Sequence, residues 1–283
     1  MKIIITGAGG QLGKELVRLF NMEEYEIFPY SKQQVDITNR TQIKEVLEKD
    51  RPDILINTAA FTQVDLCETE LEKAYLINGI GAYYLADEAR EKKVKFFHIS
   101  TDYVFSGDKY QPYIEEDVTD PKTIYGKSKR LGEVLALTTY ENTTIIRTSW
   151  LYGHGGNNFV NTIKKLAGFS KEIRVVYDQY GCPTYTKDVG IALQKLLTKP
   201  SGIYHISNYG NCSWFEFATE IISFLNAKVS VIPVSSKEYG LKTPRPMYSV
   251  LSSKKLNSNG IFLQGWKEGL HEYLKKEADS SEY

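Results

Sequence analysis

Apolar positions in the first half of the chain fall into short runs separated by amphipathic stretches. The runs at residues 2–6, 25–29, 54–57, 96–100 and 144–148 carry mainly isoleucine, leucine and phenylalanine. Runs this short, bounded by polar and turn-forming residues, predict β-strands buried on both faces. Helical spacing predominates between them. Residues 11–20 place Leu12, Leu16 and Leu19 on one face, and residues 41–50 follow the cap-like pair Thr38-Asn39. A long helix is predicted over 71–92 and another over 125–137. Strand–helix alternation of this kind predicts a parallel sheet covered by helices on both faces. Right-handed crossovers make it a doubly wound α/β sheet of the Rossmann type.

The second half is less regular. Helices are predicted over 158–167 and 187–197, with a short strand over 203–206. Ser213 caps a helix that runs to about Leu225, and Glu216 completes a capping box. In Thr243-Pro244-Arg245-Pro246 each residue before a proline is pushed into extended backbone. Trp266, Leu270, Tyr273 and Leu274 form the apolar face of a last helix, and residues 278–283 read as a frayed tail. No repeat, low-complexity tract or flexible linker interrupts the chain. The expected organisation is a dinucleotide-binding domain over 1–150 and a smaller C-terminal α/β substrate lobe over 151–283. Residues of about 186–206 are candidates to return to the first domain. A cleft is expected between the two parts.

Composition narrows the functions open to such a fold. The 283 residues carry 35 basic and 35 acidic side chains, a formal net charge of zero. That balance removes any general electrostatic argument for nucleic acid or an anionic membrane as partner. No apolar stretch approaches the length of a membrane span, and the run after Met1-Lys2 is too short for the core of a signal peptide. Cys67, Cys182 and Cys212 are odd in number, widely separated and without a Cys-x-x-Cys pair. Reduced thiols in a cytoplasmic enzyme are therefore expected.

The strand at 2–6 runs into Gly7-Ala8-Gly9-Gly10-Gln11-Leu12-Gly13 and then into a helix. Here Gly7 permits a tight turn, Gly10 lets backbone approach a pyrophosphate, and Gly13 lets the helix pack close to the sheet. The helix N-terminus then offers free N–H groups and a favourable dipole to phosphate. The spacing is Gly-x-x-Gly-x-x-Gly, and the strand–turn–helix context supports dinucleotide binding over a loop that merely needs glycine. After the second strand, the acid that would bind the adenosine ribose of NAD is absent. Tyr30-Ser31-Lys32-Gln33 stands there instead, and a hydroxyl and a lysine can accept a 2′-phosphate. NADPH is the expected cofactor, with NADH also open. Asp36-Ile37 lines the adenine, or Asp36 caps a turn.

Tyr125 and Lys129 stand four residues apart, on one face of a predicted helix. A free tyrosine titrates near about 10, and a neighbouring cation would bring its phenol closer to a working pH. The bland alternative makes Tyr125 a packing residue and Lys129 a solvated one. In combination with the glycine turn, the pair points to proton transfer beside a nicotinamide.

These segments resemble the extended short-chain dehydrogenase/reductase superfamily and, more narrowly, the dTDP-4-dehydrorhamnose reductases. The narrower resemblance rests on Asn57-Thr58-Ala59-Ala60-Phe61-Thr62-Gln63-Val64-Asp65, Ser100-Thr101-Asp102-Tyr103-Val104-Phe105, Arg147-Thr148-Ser149-Trp150, Asn157-Asn158-Phe159, Asp178-Gln179-Tyr180-Gly181-Cys182-Pro183-Thr184 and Arg245-Pro246. It spans nearly the whole chain. Members reduce the 4-keto group of a dTDP-6-deoxyhexulose in the last step of dTDP-L-rhamnose synthesis. The resemblance implies that Tyr125 is the proton donor, that Lys129 binds the nicotinamide ribose and tunes the phenol, and that Thr101 bonds the carbonyl oxygen. It further implies cofactor contacts from Gln11, Leu12, Ala59, Ala60, Phe61, Thr62 and Ser100. Substrate contacts are implied for Asp102, Trp150 and Arg245, although Trp150 also suits a core.

Related activities share this scaffold. A sugar-nucleotide 4,6-dehydratase would carry Asp-Glu after the threonine, whereas this chain has Asp102-Tyr103. An NAD-dependent nucleotide-sugar 4-epimerase is the enzymatic alternative. A non-catalytic regulatory subunit resembling the β subunit of methionine adenosyltransferase is the other. Some members hold a divalent metal at a dimer contact. Glu15 matches its first ligand, but Lys187 follows Pro183-Thr184 where an acid would be needed. No metal is expected, and Glu15 reads as a surface residue paired with Arg18. A homodimer is left open, as are the exact sugar and the polysaccharide it feeds.

Overall fold

The computed structural model describes residues 1–23 and 25–279. Five strands, β1 (Lys2–Thr6), β2 (Glu26–Tyr30), β3 (Ile54–Asn57), β4 (Lys95–Thr101) and β5 (Thr143–Thr148), are joined by Gly202–His205 in one parallel sheet. Its order runs Gly202–His205, β5, β4, β3, β1, β2. Registers such as Ile3↔Ile54 and Ile4↔Leu55 stack branched residues across neighbouring strands. These side chains are fully or almost fully buried on both faces, as expected for a parallel sheet under two helical layers. The second strand begins one residue later than its apolar run suggests, because Glu26 pairs with Lys2 at the sheet edge.

Helix Gln11–Phe20 covers one face, with Leu12, Leu16 and Phe20 packed against Val189 and Leu193 of helix Thr186–Leu196. Glu15 pairs with Arg18 at 2.6 Å as expected, but its side chain is 2% exposed and not at the surface. Neighbouring Tyr185 and helix Thr186–Leu196 close over that face. Helices Arg40–Asp50, Gly81–Lys92 and Ile124–Thr139 cover the opposite face.

The stretch read as one helix over 71–92 is interrupted. It runs as Leu71–Tyr75, a π-helical turn Leu76–Ile80, and Gly81–Lys92. Single π turns are often found at functional sites. This one carries the buried Asn78, whose amide accepts from the Phe61 N–H at 2.8 Å and donates to the Phe61 carbonyl and to Ser128 Oγ, each at 3.0 Å. Asn78 thereby ties the loop after β3 to helix Ile124–Thr139.

A second apolar cluster lies beyond β5. Helices Phe159–Ala167, Trp214–Phe224 and Trp266–Asp279 pack there against the parallel strand pair Glu172–Val176 and Ser230–Val234. That pair is absent from the sequence reading, since Pro233 and the charged residues Glu172 and Arg174 break the apolar pattern. The Ser213/Glu216 capping box is formed, and Trp266, Leu270, Tyr273 and Leu274 are buried. The last helix spans Trp266–Asp279, so the first two residues of the tail read at 278–283 are helical, and 280–283 lie outside the described residues. Among the described residues, no helix is long and apolar enough to cross a membrane.

Candidate functional site

The sheet reverses its direction of growth between β1 and β3, and ligands of open α/β sheets bind at the carboxyl ends of the strands at such a point. Gly7 leaves β1 there with φ +73, where a Cβ would stand 2.5 Å from the Ala59 nitrogen. At Gly13 a Cβ would stand 2.3 Å from the Gly7 carbonyl oxygen. The turn is thus compressed between the helix and the loop after β3 to a degree only glycine permits. No side chain caps helix Gln11–Phe20, so its first N–H groups remain free for an anion.

Two adjoining clefts open along this edge. One, of about 470 Å³, is lined by Gly7 and Gly10, by Ser31 and Lys32, by Asp36 and Ile37, and by Ala59, Ala60 and Phe61. Asp36 caps a turn, one of its two sequence readings. It lines the cleft and also accepts from the Thr38 N–H at 2.9 Å and hydroxyl at 2.7 Å, which holds its carboxyl below the usual range. Ser31 is engaged with Gln34 Oε1 at 2.8 Å. Tyr30 departs from expectation. Its side chain is absent from the cleft wall because its phenol donates to Asp50 at the end of helix Arg40–Asp50. Only its backbone serves the turn, accepting from the Ala8 N–H at 3.0 Å.

The second cleft, of about 510 Å³, is lined by Gln11, Leu12 and Gly13 at the helix terminus, and by Thr62. Ser100 and Thr101 come from the end of β4 and Asp102 from the turn that follows it, Tyr125 and Lys129 from helix Ile124–Thr139, and Trp150 from the segment after β5. All three candidate catalytic residues therefore share one cavity. Helix Ile124–Thr139 is set by the Thr123 cap, which accepts from the Gly126 N–H at 3.0 Å. Farther along, buried Glu133 receives two hydrogen bonds from Arg147 of β5 at 2.9 and 2.8 Å.

Thr101 Oγ1 donates to Asp102 Oδ1 at 3.0 Å and accepts from the Tyr103 N–H at 3.2 Å. The Ser249 side chain also bears on this buried carboxyl, as a hydrogen-bonding group that favours its charged form. Burial pushes this carboxyl up to about 6. The expected lowering of the Tyr125 phenol by Lys129 is not seen. Burial moves the phenol above its ordinary value, and a hydrogen bond with Thr101 opposes this only in part. Lys129 instead donates to the Ile99 carbonyl at 2.5 Å, and burial lowers its ammonium to about 8.

Arg245 also departs from expectation. It lines a smaller neighbouring cavity with Tyr103, Lys122 and Pro246, and its guanidinium donates to Asp65 at 2.9 Å. Pro246 packs against Gly107, and Arg245 beside it reaches Asp65 in the short helix Val64–Cys67 that follows β3. Sequence reasoning did not single out Asn157 or Trp214, both of which line the larger cleft. Asn157 lies within a segment already noted for its resemblance. Trp214 stands one residue after the Ser213 cap, and nothing local distinguishes it from a core residue.

The chain is similar to known proteins over nearly its whole length. A family model described as the RmlD substrate binding domain matches residues 1–278. A relative named spore coat polysaccharide biosynthesis protein SpsK, from Bacillus subtilis (strain 168), is 53% identical over 279 residues, 99% of each chain. A dTDP-4-dehydrorhamnose reductase from Aggregatibacter actinomycetemcomitans is 37% identical, with 95% of this chain and 97% of the relative covered. Among solved structures, a dTDP-4-dehydrorhamnose reductase from Bacillus anthracis str. Ames in complex with NADP shares 46% identity at a TM-score of 0.95, covering 97% of this chain and 99% of that one. With its Rossmann-type sheet, its glycine turn and nearly its full length matched, this chain belongs to the RmlD substrate binding domain family.

Proposed function

We propose that the protein is an NADPH-dependent reductase that converts the 4-keto group of dTDP-4-dehydro-L-rhamnose to the alcohol, giving dTDP-L-rhamnose. The observation that carries this reading is the convergence of Thr101, Tyr125 and Lys129 in the cleft that begins at the glycine turn. Relatives named dTDP-4-dehydrorhamnose reductase, and one solved in complex with NADP, support it.

The turn at Gly7 and Gly13 suits a dinucleotide, because its backbone packs too closely for a Cβ at either glycine and leads into a helix whose N-terminus no side chain caps. Gly10, Gln11, Leu12 and Gly13 would hold the diphosphate. Ser31 and Lys32 would meet the 2′-phosphate, and Asp36, Ile37, Ala59, Ala60 and Phe61 the adenosine. Thr62, Ser100 and Lys129 would lie toward the nicotinamide end. When bound, NADPH supplies the hydride that C4 gains.

Tyr125 gives the proton that completes the alcohol at O4. The buried phenol is protonated at neutral pH, and although burial makes it a weaker acid, the O4 alkoxide that forms as the hydride arrives is basic enough to take its proton. Thr101 sits beside it, and its hydroxyl, once turned from Asp102 to the substrate, would join the phenol in stabilising the charge that develops on one oxygen. Lys129 remains mainly an ammonium at neutral pH, able to bind ribose hydroxyls. Asp102 and Trp150 would contact the sugar. Arg245 would do so only after leaving Asp65. We further propose that residues 1–150 together with about 186–206 form the dinucleotide-binding part and that the remainder chiefly holds the sugar nucleotide. The three free, buried cysteines support a reducing, cytoplasmic setting.

The test is to incubate purified protein with NADPH and a panel of nucleotide 4-keto-6-deoxy sugars while following nicotinamide absorbance. Stoichiometric NADPH oxidation with the dTDP-hexulose, by protein isolated largely free of NAD, is expected. Tightly bound NAD with interconversion of 4-epimers would establish an epimerase instead. NADPH binding without turnover on any sugar would point to a regulatory subunit.

A further inference from the structure

Trp150 and Trp214 stack face to face in the wall of the larger cleft, with ring centroids 3.4 Å apart and planes inclined by 6°. They come from different parts of the fold. Trp150 follows β5 of the large sheet, and Trp214 opens helix Trp214–Phe224 in the second apolar cluster. Trp150 has φ +46, a left-handed conformation that costs a bulky residue energy and persists only when its surroundings impose it. Three contacts do so. The Trp150 carbonyl accepts from the Thr184 N–H at 3.2 Å. Gly181 presses on the indole so closely that a Cβ there would stand 2.4 Å from Trp150 Cε2. Trp214 stacks on the ring.

Trp214 is itself held from two directions. The ring of Phe159 lies 4.5 Å away, tilted by 50°. Below it, the Ser213/Glu216 capping box fixes the first turn of its helix.

We propose that Trp214 is a positioning residue for the sugar-binding end of the site, acting by clamping Trp150 against Gly181 in the conformation that shapes the pocket wall. This rests on the reductase reading, which places the keto sugar between Tyr125 and Trp150. Trp214 then contributes through Trp150 and not through its own contact with the reacting atoms. The NADPH end of the cleft, formed by other elements, does not depend on the stack.

The test is a double-substitution cycle. Trp214→Ala is expected to raise KM for the dTDP-hexulose about three- to tenfold, the loss of one aromatic stack, and to leave KM for NADPH within about twofold. Trp214→Phe keeps a ring at that place and should restore most of the affinity. In a Trp150→Ala background, Trp214→Ala should add almost nothing, since residues acting as one unit are not additive. Gly181→Ala, which displaces Trp150 from the other side, should reproduce the sugar-specific defect, and it serves as the measurement if Trp214→Ala does not fold. A parallel cycle of phenylalanine substitutions, read by aromatic circular dichroism, should give a non-additive contribution from the two indoles. Additive effects on KM, equal effects on both substrates, or additive dichroism would overturn the clamp. A wild-type protein without turnover would defeat the reductase reading instead, and the dichroism cycle would still decide the clamp.

Discussion

Lys129 Nζ lies 3.4 Å from Nε2 of His98, and only one of these buried bases carries a charge. Asn57 decides the arrangement of the imidazole. Its Oδ1 accepts from Thr6 Oγ1 at 2.8 Å and from the Ala59 N–H at 3.0 Å, so its amide nitrogen donates to His98 Nδ1 at 3.0 Å. The one acceptor nitrogen of the neutral imidazole is thus engaged by Asn57, so the 3.4 Å approach of the Lys129 ammonium to Nε2 is an unfavourable contact between two donors and not a hydrogen bond. Burial and the neighbouring ammonium keep His98 neutral, well below its ordinary pKa. Lys129 has the carbonyl of Ile99 as its close acceptor and Glu133 as the charge that favours it.

This placement makes Lys129 costly to the fold. A lysine ammonium ordinarily titrates at 10.5, and burial brings this one down to about 8. Between those values the unfolded chain binds the additional proton, so Lys129's contribution to stability rises as pH increases from 8 to 10.5. Lys129→Met should be more stable than the parent at pH 7, by roughly 3 kcal/mol at about 1.36 kcal/mol per pKa unit. The advantage should shrink across that window while turnover is lost throughout. Thermal melts at stepped pH measure it, and a pH-independent difference would contradict the assignment.

Asp102 should show the opposite pH trend. Burial raises its carboxyl from 3.8 to about 6. Between these values the folded state holds the additional proton, so the contribution of this group to stability falls as pH rises through the window. Asp102→Asn should therefore gain stability above pH 6 and gain none below 3.8. Because Asp102 also accepts the Thr101 hydroxyl, KM for the sugar nucleotide should rise more than KM for NADPH. Denaturation at pH 3.5 and pH 7, paired with steady-state kinetics at pH 7, separates the two effects.

Removing the proton donor is the most direct test of the chemistry. Tyr125→Phe keeps the ring that packs edge-on against Tyr103 at 5.4 Å. Turnover should fall about 10²-fold or more, the range for a general acid, with NADPH affinity unchanged by fluorescence titration. Wild-type turnover in this variant would remove Tyr125 from the mechanism.

Cofactor choice can be tested at the end of β2. Ser31 and Lys32 line the smaller cleft, and no acidic residue occupies the position after Tyr30. NADPH should be used at least as well as NADH. Ser31→Asp would place a carboxylate beside the 2′-phosphate and should penalise NADPH selectively. An equal loss with both cofactors would instead indicate damage to the turn, where Ser31 already bonds Gln34.

What the sequence determined by itself was local. The glycine turn, the Ser213/Glu216 box, the four-residue spacing of Tyr125 and Lys129 and the apolar face of the last helix each follow from a few consecutive residues. Steric limits, capping and helical periodicity act over that range, so they are legible without knowing the fold. The folded arrangement alone decided what distant segments do when they meet. It turned Arg245 onto Asp65, buried Glu15 beneath Tyr185, sent the Tyr30 phenol to Asp50 and stacked Trp214 on Trp150. It broke the helix read over 71–92 with a π turn at Asn78, and added the strand pair Glu172–Val176 and Ser230–Val234. It also reversed one electrostatic expectation, because burial governs the Tyr125 phenol and Lys129 is occupied by a carbonyl. Desolvation and long-range pairing depend on which surfaces are brought together, and that information is carried by the packing of the whole chain.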